Sequence, residues 1–295
     1  MPRPHRCRDV SPNGDSGNDA SPALYRCYVP RPPLAEFVAL FWLYQGYAPA
    51  HAMERVLPDG AMQLVINLRE NTFRVYDRRN PERFQRFPGC LVCGARSSFV
   101  VIDTASQAST IGVHFKPGGA FPFITESAGA LRDADAPLDA LWGAAADDLR
   151  EGLCIAATPE DKFRLLEQIL LARARLPLAE HPAVAVALRR FQGVPPTRTV
   201  ADVAEQVGLS SRRFIQVFSE AVGLTPKLFC RIQRFQAVLR LVKGGRQVAW
   251  ADAAAACGYC DQAHLIRDFQ TFAGLTPTAY LARRGEHGNH VPLPD

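Results

Sequence analysis

The chain has 295 residues, 47% of them hydrophobic and 21% charged, with a formal charge of +5 at pH 7. This is enough material for about two globular domains, and it excludes the compositions of disordered, collagen-like and disulfide-scaffold chains. No segment approaches the ~20 apolar residues of a membrane span, and the polar, Pro/Arg-rich N-terminus does not read as an export signal, which predicts a cytoplasmic protein with no membrane partner.

Residues 1–22 lack hydrophobic periodicity and are expected to form a disordered tail. Residues 23–175 read as one α+β domain with a regulatory, effector-sensing role. Within it, 34–44 is apolar and aromatic enough for a buried helix. After the turn signal Pro58-Asp59-Gly60, the β-rich runs 62–68, 73–76, 90–93, 99–102 and 109–115 read as strands of one antiparallel sheet or partial barrel. Gly118-Gly119 reads as a tight turn. Residues 138–174 turn helical, with Phe163, Leu166, Ile169, Leu170 and Leu171 as an apolar stripe, and Leu176-Pro177 reads as a linker.

The eight cysteines are expected as reduced thiols. Their two C-x-x-C pairs, Cys90/Cys93 and Cys257/Cys260, lie far outside zinc-ribbon spacing. His51 and His114 form no H-x-H pattern and read as lone structural or surface histidines. No catalytic residue, metal site or cofactor is expected.

Charge is divided unevenly along the chain. Residues 181–285 hold fourteen Lys/Arg against six acids, a surplus of eight, and the remainder is net negative by three. A basic segment beside a near-neutral one fits a polyanion-binding module joined to a separate domain.

The basic segment also contains an internal repeat. Gly223-Leu224-Thr225-Pro226 recurs as Gly274-Leu275-Thr276-Pro277. Before the first copy, Val203, Ala204 and Val207 form a small apolar face, Gly208 breaks the helix, and Ser210 caps a second helix carrying Phe214 and Phe218. Before the second copy the same parts are Ala253, Ala254 and Cys257, then Gly258, Asp261, Leu265 and Phe269. Each unit reads helix, Gly turn, capped helix. Each Thr-Pro pair opens a further helix. The one beginning at Pro226 places Leu228, Ile232, Phe235, Leu239 and Val242 on one side, and a preceding helix with Val184, Leu188 and Phe191 closes the core. The predicted units are a first helix-turn-helix at about 199–221, a linker helix at about 226–242 and a second helix-turn-helix at about 249–272. A disordered tail, 286–295, is expected to follow.

These residues resemble the DNA-binding domain of the AraC/XylS family of bacterial transcription regulators. The likeness rests on Gly208-Leu209-Ser210, Phe214 with Phe218, both Gly-Leu-Thr-Pro copies, Arg234-Phe235-Gln236, and the run from Cys257-Gly258-Tyr259 to Phe269. Upstream, Leu57-Pro58-Asp59-Gly60 and the run Phe115-Lys116-Pro117-Gly118-Gly119-Ala120 resemble a poorly defined N-terminal domain found in a branch of that family. The resemblance implies a nucleoid-associated activator or repressor whose partners are double-stranded DNA, RNA polymerase, a small-molecule effector and a second copy of the chain.

With Phe214 and Phe218 turned inward, Ser211, Arg212, Arg213, Ile215 and Gln216 face outward. By the register of the repeat, Gln262, Ala263, His264, Ile266 and Arg267 do so in the second unit. Arg suits the two acceptors of guanine, Gln the acceptor-donor pair of adenine, and Ile or Ala a thymine methyl. Lys227, Arg231 and Arg234 are candidates for phosphate contacts. Two alternatives stay open: a thiol- or metal-responsive DNA-binding sensor, and an enzyme domain fused to a helix-turn-helix module.

Overall fold

The computed structural model describes residues 23–175, 178, 181–191, 199–243, 248–285 and 288–293. The expected tail at 1–22 and linker at Leu176-Pro177 lie outside them. The N-terminal half runs β1 (Leu24–Tyr28), β2 (Val38–Gln45), β3 (Met53–Val56), β4 (Gln63–Asn67), β5 (Phe73–Tyr76), β6 (Phe84–Phe87), β7 (Cys90–Cys93), β8 (Val100–Asp103), β9 (Ser109–Phe115) and β10 (Asp135–Pro137). Three helices follow: α1 (Leu138–Trp142), α2 (Ala145–Ile155) and α3 (Pro159–Arg173).

With β11 (His290–Pro292), the strands form two sheets rather than one, in the orders β1-β2-β9-β4-β7-β10 and β11-β3-β8-β5-β6, and do not close into a barrel. Alternation along the first sheet sorts its side chains. Phe41, Leu43, Leu64, Ile66, Val92 and Val113 are buried on one face, where α1 to α3 cover them; Phe163 of α3 stacks 5.7 Å from Tyr28 and 6.3 Å from Phe41. The other face carries Leu40, Trp42, Tyr44, Gln63, Val65 and His114 toward the second sheet.

The helix expected at 34–44 is replaced by a short 3-10 turn, Leu34–Glu36, and strand β2. Apolar residues occupy both faces of β2, so its composition cannot separate a buried strand from a buried helix. Ladders to β1 and β9 on its two edges satisfy the backbone and settle the conformation.

The C-terminal third is helical: α4 (Pro182–Phe191), α5 (Val200–Gln206), α6 (Ser211–Val222), α7 (Pro226–Val242), α8 (Trp250–Ala256), α9 (Gln262–Ala273) and α10 (Pro277–Arg283). The side chains of Ser210, Thr225, Asp261 and Thr276 each accept a backbone N–H of the helix they open. Gly223 and Gly274 end α6 and α9 in the left-handed conformation that favours glycine.

Helix α7 is buried on more than the one expected side. Besides Ile232, Phe235, Leu239 and Val242, its residues Phe229, Gln236 and Val238 are buried, because the N-terminal domain covers a second face. Gln233 and Gln236 donate from Nε2 to the carbonyls of Asp59 and Pro58 at 2.9 and 2.8 Å. A Cβ on Gly60 would lie 3.0 Å from the Phe229 ring, so this turn needs glycine for its φ of +90° and for close approach.

The expected disorder of 286–295 is overturned in part. Residues 286, 287, 294 and 295 lie outside the described residues, but β11 (His290–Pro292) pairs antiparallel with β3 and completes the second sheet. Leu57 donates to the Asn289 carbonyl at 2.8 Å, Leu293 donates to the Met53 carbonyl at 2.9 Å, and Val291 is fully buried. A short polar segment becomes ordered here because an open strand edge offers it partners.

Candidate nucleic-acid interface

Helix α6 stands on α5 and α4 through Phe214 and Phe218, whose rings pack 6.4 and 5.9 Å from Phe191. That inward set leaves Ser211, Arg212, Arg213, Ile215 and Gln216 all exposed. They are not loose: Arg213 donates to Gln216 at 3.0 Å, and Gln216 donates to Glu220 at 2.9 Å. In the second unit Leu265 and Phe269 are buried, with Phe269 5.0 Å from Phe235 of α7. Gln262, Ala263 and Arg267 are exposed, and Ile266 and His264 half-buried. His264 packs edge-on to Tyr259 at 5.1 Å.

Of the three phosphate candidates, Lys227 is exposed. Arg231 instead donates to buried Asp268 of α9 at 2.6 and 3.2 Å, with its guanidinium 5.2 Å from the Phe272 ring. It bolts α7 to α9, with about a third of its side chain, 32%, left exposed. Arg234 lies 5.4 Å over the Tyr259 ring and is likewise held within the domain.

Behind these helices, between the sheets and α7, lies a cavity of about 440 Å³. Tyr25, Trp42, Tyr44 and Tyr47 panel one side, and Gln236 and Arg240 of α7 reach it from another. Trp42 fits because Gly112 faces it: a Cβ there would come 2.4 Å from the indole. At the rim Glu54, 1% exposed, is met by Tyr47 at 3.0 Å, His51 at 3.3 Å and His290 of β11 at 2.7 Å. Burial acts to raise its carboxyl, but His290, then His51 and Tyr47, outweigh burial and hold it below the ordinary carboxylate range.

His114 pairs with Asp59 at 3.2 Å. Neither histidine expected to stand alone does so. Sequence reasoning missed the Glu54 cluster because His290 is 236 residues away. It missed the aromatic panel because 34–44 read as helix, where period-2 spacing has no meaning.

The thiols of Cys90 and Cys93 project to opposite faces of β7. Cys90 faces α2, 3.9 Å from the Ala146 carbonyl, and burial pushes it up to about 12. Cys93 lines the cavity, and burial raises it well above an ordinary thiol.

Two helix pairs on one shared helix, each with an exposed outer face, have the architecture of paired helix-turn-helix units. Residues 203–283 match the family described as "Helix-turn-helix domain". Residues 26–137 match "Domain of unknown function (DUF6597)". Among solved structures, the chain is similar to a probable AraC family transcriptional regulator from Rhodopseudomonas palustris CGA009 at 24% identity, over 35% of this chain and 96% of that one, with a TM-score of 0.32. It is similar to ToxT from Vibrio cholerae at 8% identity over 88% and 98%, TM-score 0.44. A third similarity is to ToxT from Vibrio cholerae O395 bound to (E)-4-(8-methylnaphthalen-1-yl)but-3-enoic acid, at 10% identity over 82% and 98%, TM-score 0.45. No curated protein matches the chain. Among the described residues, no helix is long and apolar enough to cross a membrane.

Proposed function

We propose that the chain is a sequence-specific transcription regulator of the AraC/XylS type, in which α6 and α9 enter successive major grooves. The observation that carries this reading is the pair of exposed faces, Arg212 with Gln216 and Gln262 with Arg267, on the corresponding outer sides of two repeated units, Gln216 and Arg267 standing at the same place in each. Helix α7 between them is ~25 Å long at ~1.5 Å per residue, comparable with the ~34 Å of one DNA turn. Ser211, Arg213, Ile215, Ala263, His264 and Ile266 complete the reading faces, and Lys227 meets a phosphate. Regulation comes from a small molecule in the cavity, whose volume of about 440 Å³ falls within the roughly 300–1,000 Å³ of small-ligand sites. Gln236 lies in that wall and also bonds Pro58, so an occupant touches the helix that spaces the two reading units. RNA polymerase and a second copy of the chain are the macromolecular partners of this reading.

The test is a binding selection from randomised duplexes with the full chain, Arg212→Ala and Arg267→Ala. A lost bidentate base contact costs about 1–3 kcal/mol. Each variant is therefore expected to relax preference in its own half of the selected site and leave the other half intact. Wild-type binding with no sequence preference would sink the reading.

A further inference from the structure

We infer that the β5–β6 hairpin of the N-terminal domain belongs to the DNA-binding surface and contacts phosphates beside the groove entered by α9. This rests on the reading of α9 given above. Along α9, Ala263, Arg267, Gln270 and Gly274 recur at i, i+4, i+7 and i+11, which makes one stripe on the helix. All four are exposed. The first two belong to the proposed base-reading face, whereas the last two meet the N-terminal domain. Phe99 lies against Gly274, where a Cβ would come 2.7 Å from the ring. Gln270 and Thr271 share a recess with Arg78, Arg79, Ser97 and Ser98. The hairpin therefore stands at the end of the reading stripe, on the side where DNA would lie.

Its charge fits that position. Arg78, Arg79, Arg83 and Arg86 are all exposed on the hairpin, against Asp77 and Glu82. The Asp77 carboxylate is occupied by the N–H groups of Arg79 at 2.7 Å and Asn80 at 3.1 Å, which shape the turn. Arg78 donates to Ser98 on the neighbouring loop, which orients its guanidinium beside α9. Charges on an edge strand also guard against unwanted pairing, and that accounts for Arg86 on β6. It does not account for Arg78 and Arg79, which lie beyond the end of β5 and next to α9. A neutral element at this place would obstruct a duplex, whereas a cationic one extends the contact.

The experiment measures affinity of the full chain for a random-sequence duplex pool against salt, with wild type, Arg79→Ala, the double variant Arg78→Ala/Arg79→Ala, and Arg79→Glu. Each phosphate neutralised contributes ~0.9 to the slope of log affinity against log salt. The double variant is expected to lower that slope by about 2, and Arg79→Glu to weaken binding more than Arg79→Ala. Phosphate-ethylation interference on the selected duplex should lose signals flanking the α9 half-site only, with base preferences unchanged. Unchanged slope and interference in variants of a wild type that binds overturn this inference alone. Tighter binding by the double variant overturns it in favour of steric obstruction. A wild type without duplex affinity at low salt overturns both this inference and the reading beneath it. All four arginines are exposed, and equal melting temperatures would verify that the variants fold.

Discussion

The two helix-turn-helix units share a plan but are secured by different physics. In the first, the scaffold helix α5 has a reciprocal cap, Thr199 and Asp202 bonding each other's backbone at 3.2 and 3.0 Å. Val217 packs into the core at the place where the second unit has Asp268. In the second, α8 has no side-chain cap and leans on Trp250, 6.1 Å from Phe269. The buried Asp268 is neutralised by Arg231 across the shared helix. Their moorings to the N-terminal domain differ as well. The turn after α6 presses backbone to backbone on Ala128, whereas the turn after α9 meets the Phe99 ring. The same tertiary plan is thus reached once by apolar packing and backbone caps, and once by an ion pair and rings, which respond differently to substitution.

Arg231→Ala should break the comparison most sharply. It leaves the Asp268 carboxylate buried without its partner, and removing one member of a buried pair costs about 3–5 kcal/mol. A value near 3 kcal/mol is expected, because about a third of Arg231 is exposed at 32%, and the loss should appear in chemical denaturation. Giving the second unit the first unit's solution, Asp268→Val with Arg231→Leu, should recover most of it, since apolar replacement of both partners is often neutral. A double variant as unstable as Arg231→Ala would show that the ion pair is not what holds α9 to α7.

The turns sharpen the contrast. Gly223 and Gly274 both have positive φ, +86° and +64°, so alanine strains either one by about 1 kcal/mol. At Gly223 the new Cβ also meets the Ala128 carbonyl at 3.0 Å and the Ala95 side chain at 3.1 Å, neither of which can swing away. Gly223→Ala should cost about 2–3 kcal/mol. Gly274→Ala should cost nearer 1–2, because the half-buried Phe99 ring can turn aside. Equal melting temperatures for the two variants would remove the distinction between backbone and ring moorings.

The smallest effect expected is on pH dependence. Glu54 joins β11 to β3, and its carboxyl is depressed, so its stabilising contribution is complete above the unfolded value of about 4.3 and is lost as pH falls through the lower folded value. Amide exchange at Leu57 and Leu293, which bracket β11, should accelerate below about pH 4 in wild type. In Glu54→Gln it should already be faster at neutral pH and flat through that range. A flat profile in wild type would mean that the β11 ladder, and not Glu54, holds the tail.

What the sequence disclosed follows the range of the forces involved. The helices of the C-terminal third were legible because their signals are local: Ser210, Thr225, Asp261 and Thr276 as caps, Gly223 and Gly274 as stops, and i, i+4 pairs such as Phe214 with Phe218. The exposed faces of α6 and α9 followed from those pairs. The β-half was legible in its five clearest strands. Strand β2 was not, because a strand apolar on both faces has no alternation. Strands β3 and β11 were missed because each is short and is settled by partners far along the chain, and β6 because its exposed run Phe84-Gln85-Arg86 carries no β-branched residue. The Arg231 ion pair was missed for a related reason: its partner, Asp268, lies 37 residues further on, on another helix.

Strand β11 also imposes an order on synthesis. Glu54 leaves the ribosome 236 residues before His290, an interval of roughly 10–50 s at ~5–20 residues per second. Through that interval β3 has an unpaired edge, Glu54 is without one of its partners, and the face later closed by α7 and the tail is open to solvent. The cavity wall is finished only after both α6 and α9 have been made. A nascent chain therefore has no complete cavity before it has both helix-turn-helix units, so whatever occupies the cavity meets a chain whose helical half is already made.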